Sequence, residues 1–325
     1  MRLGKLDNDE LERLVLGKFS RVRKESLYAP EIGRDCAAVD LQGDLTVLST
    51  DPITSASVAH LGRLTVHVCC NDAAAAGAEP VGLLVTLLVP PTETPETIGR
   101  IADDLAEAAR LAGIDILGGH TEVTDSVTRA ITSATIVARM QSTVALTGMQ
   151  PGDDLVMTKW AGLEGTTILA EDAAERLSGL PADAIDRAHK LSQYLSVVAE
   201  SKIAMQLGAT EMHDVTEGGV LGAVWEMAYV SGCGITVQLD AIPVLPETAA
   251  ICKALSLNPL RLISSGSMLI TCKDGKKLLE ALQQEGIPAA IIGKAVGNGV
   301  FSSDGRAIDP PGADELYHVL AAQKS

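Results

Sequence analysis

Aromatic side chains are scarce in this sequence. Its 325 residues include two Trp, four Tyr and two Phe, which is 2% of the chain. So few aromatic rings argue against a stacking platform for single-stranded nucleic acid. Basic residues are also in the minority, because 26 Lys and Arg face 42 Asp and Glu and leave a formal net charge of −16. A chain of this charge repels phosphate backbones at long range, so we expect no nucleic-acid partner.

Long hydrophobic runs are missing as well. Apolar stretches such as 81–91 fall short of the ~20 residues that span a bilayer, and residues 1–20 lack the apolar run of a secretory signal. The six cysteines form no C-x-x-C pair, which argues against a zinc site or a thioredoxin-like motif. We therefore expect a cytoplasmic protein without membrane contact, whose cysteines are reduced core residues.

The familiar catalytic motifs do not occur either. The sequence contains no G-x-x-x-x-G-K-[ST] and no G-x-G-x-x-G, which argues against P-loop NTPases and ordinary Rossmann enzymes. It also contains no H-E-x-x-H and no G-x-S-x-G, which argues against zincins and α/β-hydrolases. Any nucleotide chemistry must therefore depend on another arrangement of residues.

Hydrophobic residues make up 46% of the chain, and its length suits two domains. Apolar segments typical of strands alternate with helical segments. The clearest helix is 94–113, which opens with Thr and Pro and ends with Gly. The pattern restarts after a Pro-Gly turn near 147–155. The sequence thus predicts an N-terminal domain over 1–148 and a C-terminal domain over 149–325, both of α/β or α+β class.

Four Asp residues stand at the ends of predicted apolar segments. They are Asp35, Asp51, Asp72 and Asp214. A carboxylate at a strand end or a helix start lies at the rim of a sheet, where ligands bind. Oxygens that converge from separate loops suit Mg²⁺, which binds one or two carboxylates together with substrate phosphates. The alternative is that each Asp only caps a helix or closes a turn, and spacing alone leaves both interpretations open.

Two glycine-rich segments could bind phosphate through backbone N–H groups. In 117–122, Gly118 and Gly119 follow an apolar strand and permit close approach, while Thr121 adds a hydroxyl. Residues 216–219 lie in a predicted polar loop that opens a helix, and the N–H groups of that helix form an anion-binding end. For both segments the alternative is a tight turn.

Other reactive side chains accompany these segments. His120 lies in the first glycine segment and could contact a ligand. Lys159 follows a predicted strand and could neutralise a phosphate, with an exposed surface lysine as the alternative. Cys69 and Cys70 fall within a predicted helix over 61–80 and have no evident partner base, so buried packing is favoured over a nucleophile.

Seven segments occur in a fixed order between about residue 30 and about residue 300. They are GRDCAAVD, STD, NDAAAAGAEP, GGHTEV, PGDDLVMTK, HDVTEGGVLGAVWEMA and SSGSMLI. In this order they resemble the aminoimidazole ribonucleotide (AIR) synthase superfamily. The superfamily includes AIR synthase, selenophosphate synthetase, thiamine-monophosphate kinase and a hydrogenase-maturation dehydratase. NDxxxxGAEP followed by GGxT and HDxTxGG is fairly specific, whereas each motif alone is weak.

The resemblance implies two AIR-synthase-like domains, with N-terminal sheets that pair across a homodimer into a barrel. It implies ATP in a cleft near that interface, Mg²⁺ held by Asp residues, and transfer of the γ-phosphoryl group to an oxygen or selenium nucleophile. By motif match, the metal ligands are Asp35, Asp51, Asp72 and Asp214, of which Asp72 and Asp214 are the implied catalytic residues. The implied nucleotide contacts are Asn71, Gly118, Gly119, His120, Thr121 and Lys159.

Departures from the individual branches bear on the substrate. The hydrogenase-maturation branch is most similar, in STD, GGHTEV and SSGSML, and acts on a modified cysteine in its own C-terminal tail. The last cysteine here is Cys272, so we expect that tail to be missing. Selenophosphate synthetases carry Cys or selenocysteine and Lys in a glycine-rich N-terminal segment, where this chain has only Cys36. Thiamine-monophosphate kinases show Asp in place of His120.

These observations lead to a functional hypothesis with two alternatives. The first hypothesis is an ATP- and Mg²⁺-dependent enzyme that phosphorylates an oxygen of a small-molecule or carbamoyl-type substrate. The first alternative is a nucleotide-binding accessory or scaffold protein of hydrogenase maturation, with little turnover of its own. The second alternative is an acidic α/β protein whose Asp residues are only caps.

Overall fold

The computed structural model describes residues 4–5, 8–26, 39–43, 45–54, 56–140 and 146–321. The described chain divides into two compact units. The first contains the residues up to 140 except Ala74–Gly77, and the second contains Ala74–Gly77 and the residues from 146 onwards. The boundary proposed from the sequence, after residue 148, falls close to the start of the second unit.

The first unit combines one sheet with three helices in the ranges that the structure describes. In chain order its elements are β1 (Gly4–Lys5), α1 (Asn8–Leu14), β2 (Leu45–Ile53), α2 (Leu61–Ala75), β3 (Glu79–Val89), α3 (Pro95–Ala112), β4 (Asp115–Val123) and β5 (Ile131–Met140). The predicted helix over 94–113 is confirmed, and Gly113 ends it in the left-handed conformation at φ 68°.

The sheet of the first unit has the strand order β1-β4-β3-β5-β2. β3 and β4 pair in parallel, and the other neighbours pair antiparallel. On one face, α2 packs on β5, where Thr65 and Thr132 share a buried hydrogen bond of 2.6 Å. On the other face Leu48 and Leu84 remain exposed. This sheet therefore has one covered face and one open face, which carries Leu48 and Leu84.

The second unit has a larger sheet. In chain order its described elements are β6 (Asp154–Thr158), α4 (Leu163–Asp172), α5 (Ala182–Lys190), α6 (Val198–Gln206), β7 (Glu211–Asp214), α7 (Gly219–Ser231), β8 (Gly234–Val237), α8 (Pro246–Leu255), β9 (Met268–Cys272), α9 (Gly275–Gln284), β10 (Ala289–Val296), β11 (Val300–Ser302) and α10 (Glu315–Ala321). The strand order is β11-β8-β10-β6-β9-β7, antiparallel except where β11 meets β8.

Two strands of this unit differ from the sequence-based expectation. β7 lies where a polar loop was expected, and β11 was not anticipated. β7 is polar at Glu211, His213 and Asp214, but its backbone pairs with β9 along the sheet edge. Pairing with a neighbouring strand outweighs the local polarity, which favoured a loop. None of the described helices is long and apolar enough to cross a membrane.

Candidate functional site

Two of the predicted metal ligands lie together in the first unit. Asp51 is on β2, and Asp72 is on the last part of α2, which packs beside it. The hydroxyl of Ser49 donates a hydrogen bond of 2.5 Å to Asp72. Both carboxylates act electrostatically on the thiol of Cys69. Asp51 and Asp72 are half-buried, so they remain reachable from solvent. Asp72 was expected at the rim of an element, but it lies inside α2.

This arrangement fixes the state of Cys69. Burial, with Asp51 and Asp72 adding to it, raises the pKa of the Cys69 thiol to about 12. The thiol instead donates to the backbone carbonyl of Ala134 at 3.6 Å. Burial raises the pKa of the neighbouring Cys70 as well. A thiol that stays protonated is a poor nucleophile, so the structure agrees with a packing role for both cysteines. The cysteines of the described chain are all free and buried.

The donor set around Asp51 and Asp72 fits Mg²⁺. Two carboxylates and a hydroxyl are hard oxygen donors, and Mg²⁺ is usually bound by one or two carboxylates together with substrate phosphates. No group of three or more His, Cys, Asp or Glu is placed to hold a metal within the described ranges. Asp214 belongs to the other unit, and Asp35 lies outside the described residues. Among the described residues of the first unit, the protein side of such a site is therefore this pair of carboxylates.

The glycines of the GGHT segment are inside a strand and do not form a turn. Gly118 and Gly119 lie within β4, at φ 148° and 146°. The register of β4 against β3 shifts just before them. A Cβ at Gly119 would lie 1.8 Å from the carbonyl oxygen of Val85. Gly119 is thus required by the close approach of β3, whereas a Cβ at Gly118 would meet only Leu84, at 3.7 Å.

The remaining predicted nucleotide contacts of this unit differ in exposure. His120 and Glu122 share one face of β4, and His120 Nε2 lies 3.2 Å from a carboxylate oxygen of Glu122. Their side chains are 38% and 39% exposed, and Thr121 is half-buried. Asn71 has no exposed surface. The β4 residues are therefore accessible to a ligand. Asn71 is not, so it can affect a ligand only through the residues that surround it.

Lys159 is buried in the second unit, so the alternative of an exposed surface lysine is wrong. It follows β6 and has a positive φ of 55°. Its ammonium pairs with Glu200 and donates to the carbonyl oxygens of Ser196 at 2.5 Å and Gly266 at 2.9 Å. Burial lowers the pKa of Lys159, and Glu200 opposes that shift. These three contacts use all three N–H donors of the ammonium.

Asp214 ends β7 and is buried at 7% exposure. The ring of His213 beside it approaches the Asp214 carbonyl oxygen through Nδ1 at 2.6 Å and Glu226 through Nε2 at 3.6 Å. Asp214 was expected in a polar loop before a helix, whereas the structure places it at the end of a strand. Its side chain belongs to the second unit, where it accompanies a histidine and a glutamate.

The predicted anion-binding helix end is occupied by the protein itself. α7 begins at Gly219, as the TEGG segment indicated. The N–H of Gly218 donates to a carboxylate oxygen of Asp314 at 2.7 Å, and the N–H of Leu221 donates to the Leu260 carbonyl at 3.1 Å. The anion at this helix terminus is therefore the Asp314 side chain.

Sequence reasoning missed the partners that hold these residues. Ser49 stands two residues before Asp51, and this period-two spacing on a strand could have indicated its shared face. Glu200 is 41 positions from Lys159, and Asp314 is 96 positions from Gly218. For these distant pairs the sequence carries no local signal, because only tertiary packing brings them together.

The sequence matches two family profiles over most of its length. Residues 33–140 match the profile "AIR synthase related protein, N-terminal domain", and residues 150–305 match "AIR synthase related protein, C-terminal domain". The chain belongs to the AIR synthase related protein family. The expected two-domain mixed α/β fold of this family is confirmed by the two sheets described above.

Curated relatives of this family member are proteins of hydrogenase maturation. The carbamoyl dehydratase HypE of Azotobacter vinelandii is 32% identical over 73% of this chain and 70% of its own. The putative hydrogenase expression/formation protein of Methanocaldococcus jannaschii is 31% identical over 72% of this chain and 70% of its own. The expectation of an enzyme from this superfamily is confirmed by relatives that are named as dehydratases.

Solved structures agree with this placement. The crystal structure of Escherichia coli HypE, a hydrogenase maturation protein, superposes with a TM-score of 0.80 at 26% identity, over 94% of this chain and 98% of its own. A HypE structure in complex with ATP superposes at 0.78, with 22% identity over 95% and 96%. A HypE–HypF complex superposes at 0.70, with 24% identity over 84% and 92%. The last two support the fold alone.

Proposed function

We propose that this family member is an ATP- and Mg²⁺-dependent enzyme that transfers the γ-phosphoryl group of ATP to an oxygen of a carbamoyl-type substrate. The observation that carries the proposal is the placement of Asp51 and Asp72 on adjacent elements around one neutral thiol. Relatives named carbamoyl dehydratase support the substrate class, and a relative in complex with ATP supports the nucleotide.

The chemistry follows from what phosphoryl transfer needs. Catalysis of this transfer rests on positioning and on neutralising phosphate charge, with little covalent help from the protein. Mg²⁺ would supply that neutralisation when bound. The carbamoyl oxygen attacks the γ-phosphorus, and ADP leaves. Loss of the new phosphate together with two N–H protons converts the carboxamide into a nitrile, so one water is removed overall and ATP becomes ADP and phosphate.

The predicted metal ligands and their neighbours have the following parts in this proposal. Asp51 and Asp72 hold the cation, and the Ser49 hydroxyl orients the Asp72 carboxylate. The Cys69 thiol beside them stays neutral, so it does not act as a competing nucleophile towards the phosphoryl group. We propose Asp35 and Asp214 as further ligands, as the family resemblance implies, and Asp214 as a catalytic residue with Asp72.

For the nucleotide we propose contacts along β4. Gly118 and Gly119 leave backbone N–H groups uncovered by side chains, and His120 and Thr121 follow on the same strand. Asn71 and Lys159 remain proposed residues of the nucleotide site, as the resemblance implies, but in an indirect role, because both are buried and the Lys159 donors are already used. This distinction can be tested by stability measurements on Lys159 variants.

We also propose a homodimer formed through the open sheet face of the first unit. β2 is an edge strand of nine residues, and Leu48 on it is 63% exposed. Leu84 on β3 is exposed on the same sheet. Exposed leucines on an open sheet face favour pairing with a second copy, because an exposed apolar patch marks an interaction surface. The unpaired edge of β2 is also prone to pair with another strand.

The proposal is tested by phosphate release from ATP and Mg²⁺. The probe is a short peptide that carries S-carbamoylcysteine, with the same unmodified peptide as the control. We expect the modified peptide to stimulate phosphate release and to lose the mass of one water. Tight ATP binding with unstimulated turnover would instead support the accessory or scaffold alternative. Failure of ATP with Mg²⁺ to raise the melting temperature would support the other alternative, an acidic α/β protein whose Asp residues are only caps.

Asp72→Asn is the sharpest variant for the proposed site. Removing one anionic oxygen should weaken the cation site and lower the stimulated rate by about 10²-fold or more. The melting temperature should change little, because Asp72 is half-buried. The matched control is Asp125→Asn, an exposed carboxylate of the same unit. Full activity and unchanged Mg²⁺ dependence in Asp72→Asn would contradict the assignment.

A further inference from the structure

Three carboxyl groups of the second unit face one another near the starts of α4, α7 and α10. Glu164 lies in the first turn of α4, Glu217 precedes α7, and Asp314 precedes α10. Glu164 is repelled by each of the other two, and Glu217 also repels Asp314. Glu164 and Asp314 are 6% and 2% exposed. Water therefore screens the repulsion between them poorly.

The two buried carboxyl groups have different partners. Asp314 accepts hydrogen bonds from the N–H groups of Gly218 at 2.7 Å and Leu316 at 2.9 Å. Glu164 is hydrogen-bonded to Ser265, but its Oε2 atom has no hydrogen-bond partner in the described part of the chain. An ionised Glu164 would bury a charged and unsolvated oxygen, whereas the neutral acid avoids that cost.

The other titratable groups on these elements do not neutralise the three carboxyl groups. On α10, Tyr317 donates to Glu217 at 2.5 Å, and the exposed His318 lies 3.6 Å from Glu315. Arg261 donates to two backbone carbonyls of the segment that precedes α10. Within the described ranges, no Lys or Arg forms an ion pair with Glu164 or with Asp314. The cluster thus relies on a proton for neutralisation.

Burial favours the protonated form of Glu164 while residues 309–319 are packed on α4 and α7, an arrangement that we call the docked state. Burial raises the pKa of Glu164 to about 7; Asp314 and Glu217 add to the increase, and Ser265 opposes it. Burial also raises the pKa of Asp314. The value for an ordinary Glu is 4.5. The docked state therefore keeps a proton that the undocked state loses between these values, and docking weakens as the pH rises from about 4.5 to about 7.

The segment that this cluster holds is the end of the described chain. Leu316 and Val319 of α10 are buried in one apolar cluster with Leu169 of α4. Pro311 packs over the start of α7, where a Cβ at Gly222 would lie 3.3 Å from it. The segment is thus attached to α4 and α7 by modest apolar contacts and by the carboxyl cluster. Its docking is sensitive to charge within that cluster.

We propose that Glu164, Glu217 and Asp314 form a proton-operated latch for residues 309–319. With a proton on Glu164 the segment docks on α4 and α7. Loss of the proton places a second buried negative charge beside Asp314, and the segment undocks locally. Undocking also frees the Gly218 N–H, which Asp314 covers in the docked state.

The latch is tested by hydrogen exchange of the full-length protein at pH 6 and pH 8. Protection factors are corrected for intrinsic exchange rates and compared for a peptide that covers α10. A carboxyl that titrates at about 7 when docked and at 4.5 when undocked makes opening about tenfold more frequent at pH 8 than at pH 6. We therefore expect α10 to lose about tenfold protection, while a peptide from α9 keeps its protection.

Two variants identify the responsible group. In Glu164→Gln, a neutral isostere, protection of α10 should be the same at both pH values. In His318→Gln the tenfold change should persist, because His318 is an exposed side chain of α10 that lies outside the carboxyl cluster. Equal protection of the wild type at both pH values would overturn the proposal. Persistence of the change in Glu164→Gln, or its loss in His318→Gln, would also overturn it.

Discussion

At the scale of single residues, environment decides which charges face a ligand. Asp72 and Lys159 are both charged residues singled out by motif, yet Asp72 is half-buried at an accessible site and Lys159 is enclosed. The ammonium of Lys159 is neutralised by the Glu200 carboxylate, and it donates hydrogen bonds to two carbonyl oxygens. We infer that Lys159 holds the loop after β6 in place within the second unit.

Substitution of Lys159 by Met should destabilise the second unit. The change leaves the Glu200 carboxylate buried without its partner, which typically costs about 3–5 kcal/mol. The double variant Lys159→Met with Glu200→Met should be less destabilised than the single one, because no charge is then left unpaired. Urea unfolding measures both. If Lys159→Met kept its stability and lost ATP binding, a direct contact with the nucleotide would be established instead.

At the scale of elements, backbone packing explains a motif that the sequence suggested for ligand binding. The glycine pair of GGHT lies in β4, where the strand shifts register against β3. Gly119 is needed for that contact, whatever ligand approaches the strand, because a Cβ there would overlap the Val85 carbonyl. A glycine that permits strand pairing and a glycine that admits phosphate are indistinguishable in sequence.

The two glycines should therefore respond differently to alanine. Gly119→Ala should destabilise the first unit by more than about 3 kcal/mol, since β3 or β4 must move to relieve the overlap. Gly118→Ala has open space and only backbone strain at φ 148°, which should cost about 1 kcal/mol. Thermal and urea unfolding compare the two variants. Equal destabilisation would show that the close approach to Val85 does not decide the position.

At the scale of the whole molecule, each unit buries its own core, but the first leaves one sheet face open. Thr132 of β5 is buried against α2, whereas Leu48 and Leu84 are exposed. A protein of net charge −16 resists nonspecific association through repulsion. An apolar face that persists on such a protein therefore favours one specific partner surface, which we propose to be a second copy.

Leu48→Glu should disrupt the proposed dimer. A buried glutamate at the interface should weaken self-association by about 100-fold, or roughly 2.7 kcal/mol. The matched control is Leu111→Glu, because Leu111 is similarly exposed but lies on α3. Analytical ultracentrifugation measures the dissociation constants of both variants and of the wild type. A monomeric wild type, or dissociation by both variants alike, would rule out this interface.

Much of the architecture was predictable from the sequence because its signals are local. The helix over 94–113 carries its own cap, its proline and its terminal glycine, and strand β3 is a mainly apolar run. β7 and β11 were not predictable, since they are short and are held mainly by pairing with β9 and β8. Among the site residues, the order of motifs in the sequence indicated Asp51 and Asp72. The contacts that Ser49 and Cys69 make with them could be known only from the fold.

The sequence by itself determined the family, the two-unit mixed α/β fold and the acidic character, because ordered motifs and apolar periodicity are properties of the chain read in one dimension. The tertiary structure alone decided that Lys159 is enclosed, that Asp314 covers the start of α7, and that Glu164 lacks a neutralising cation. These depend on residues tens of positions apart, and the charge state of a buried group is set by whatever packing brings beside it.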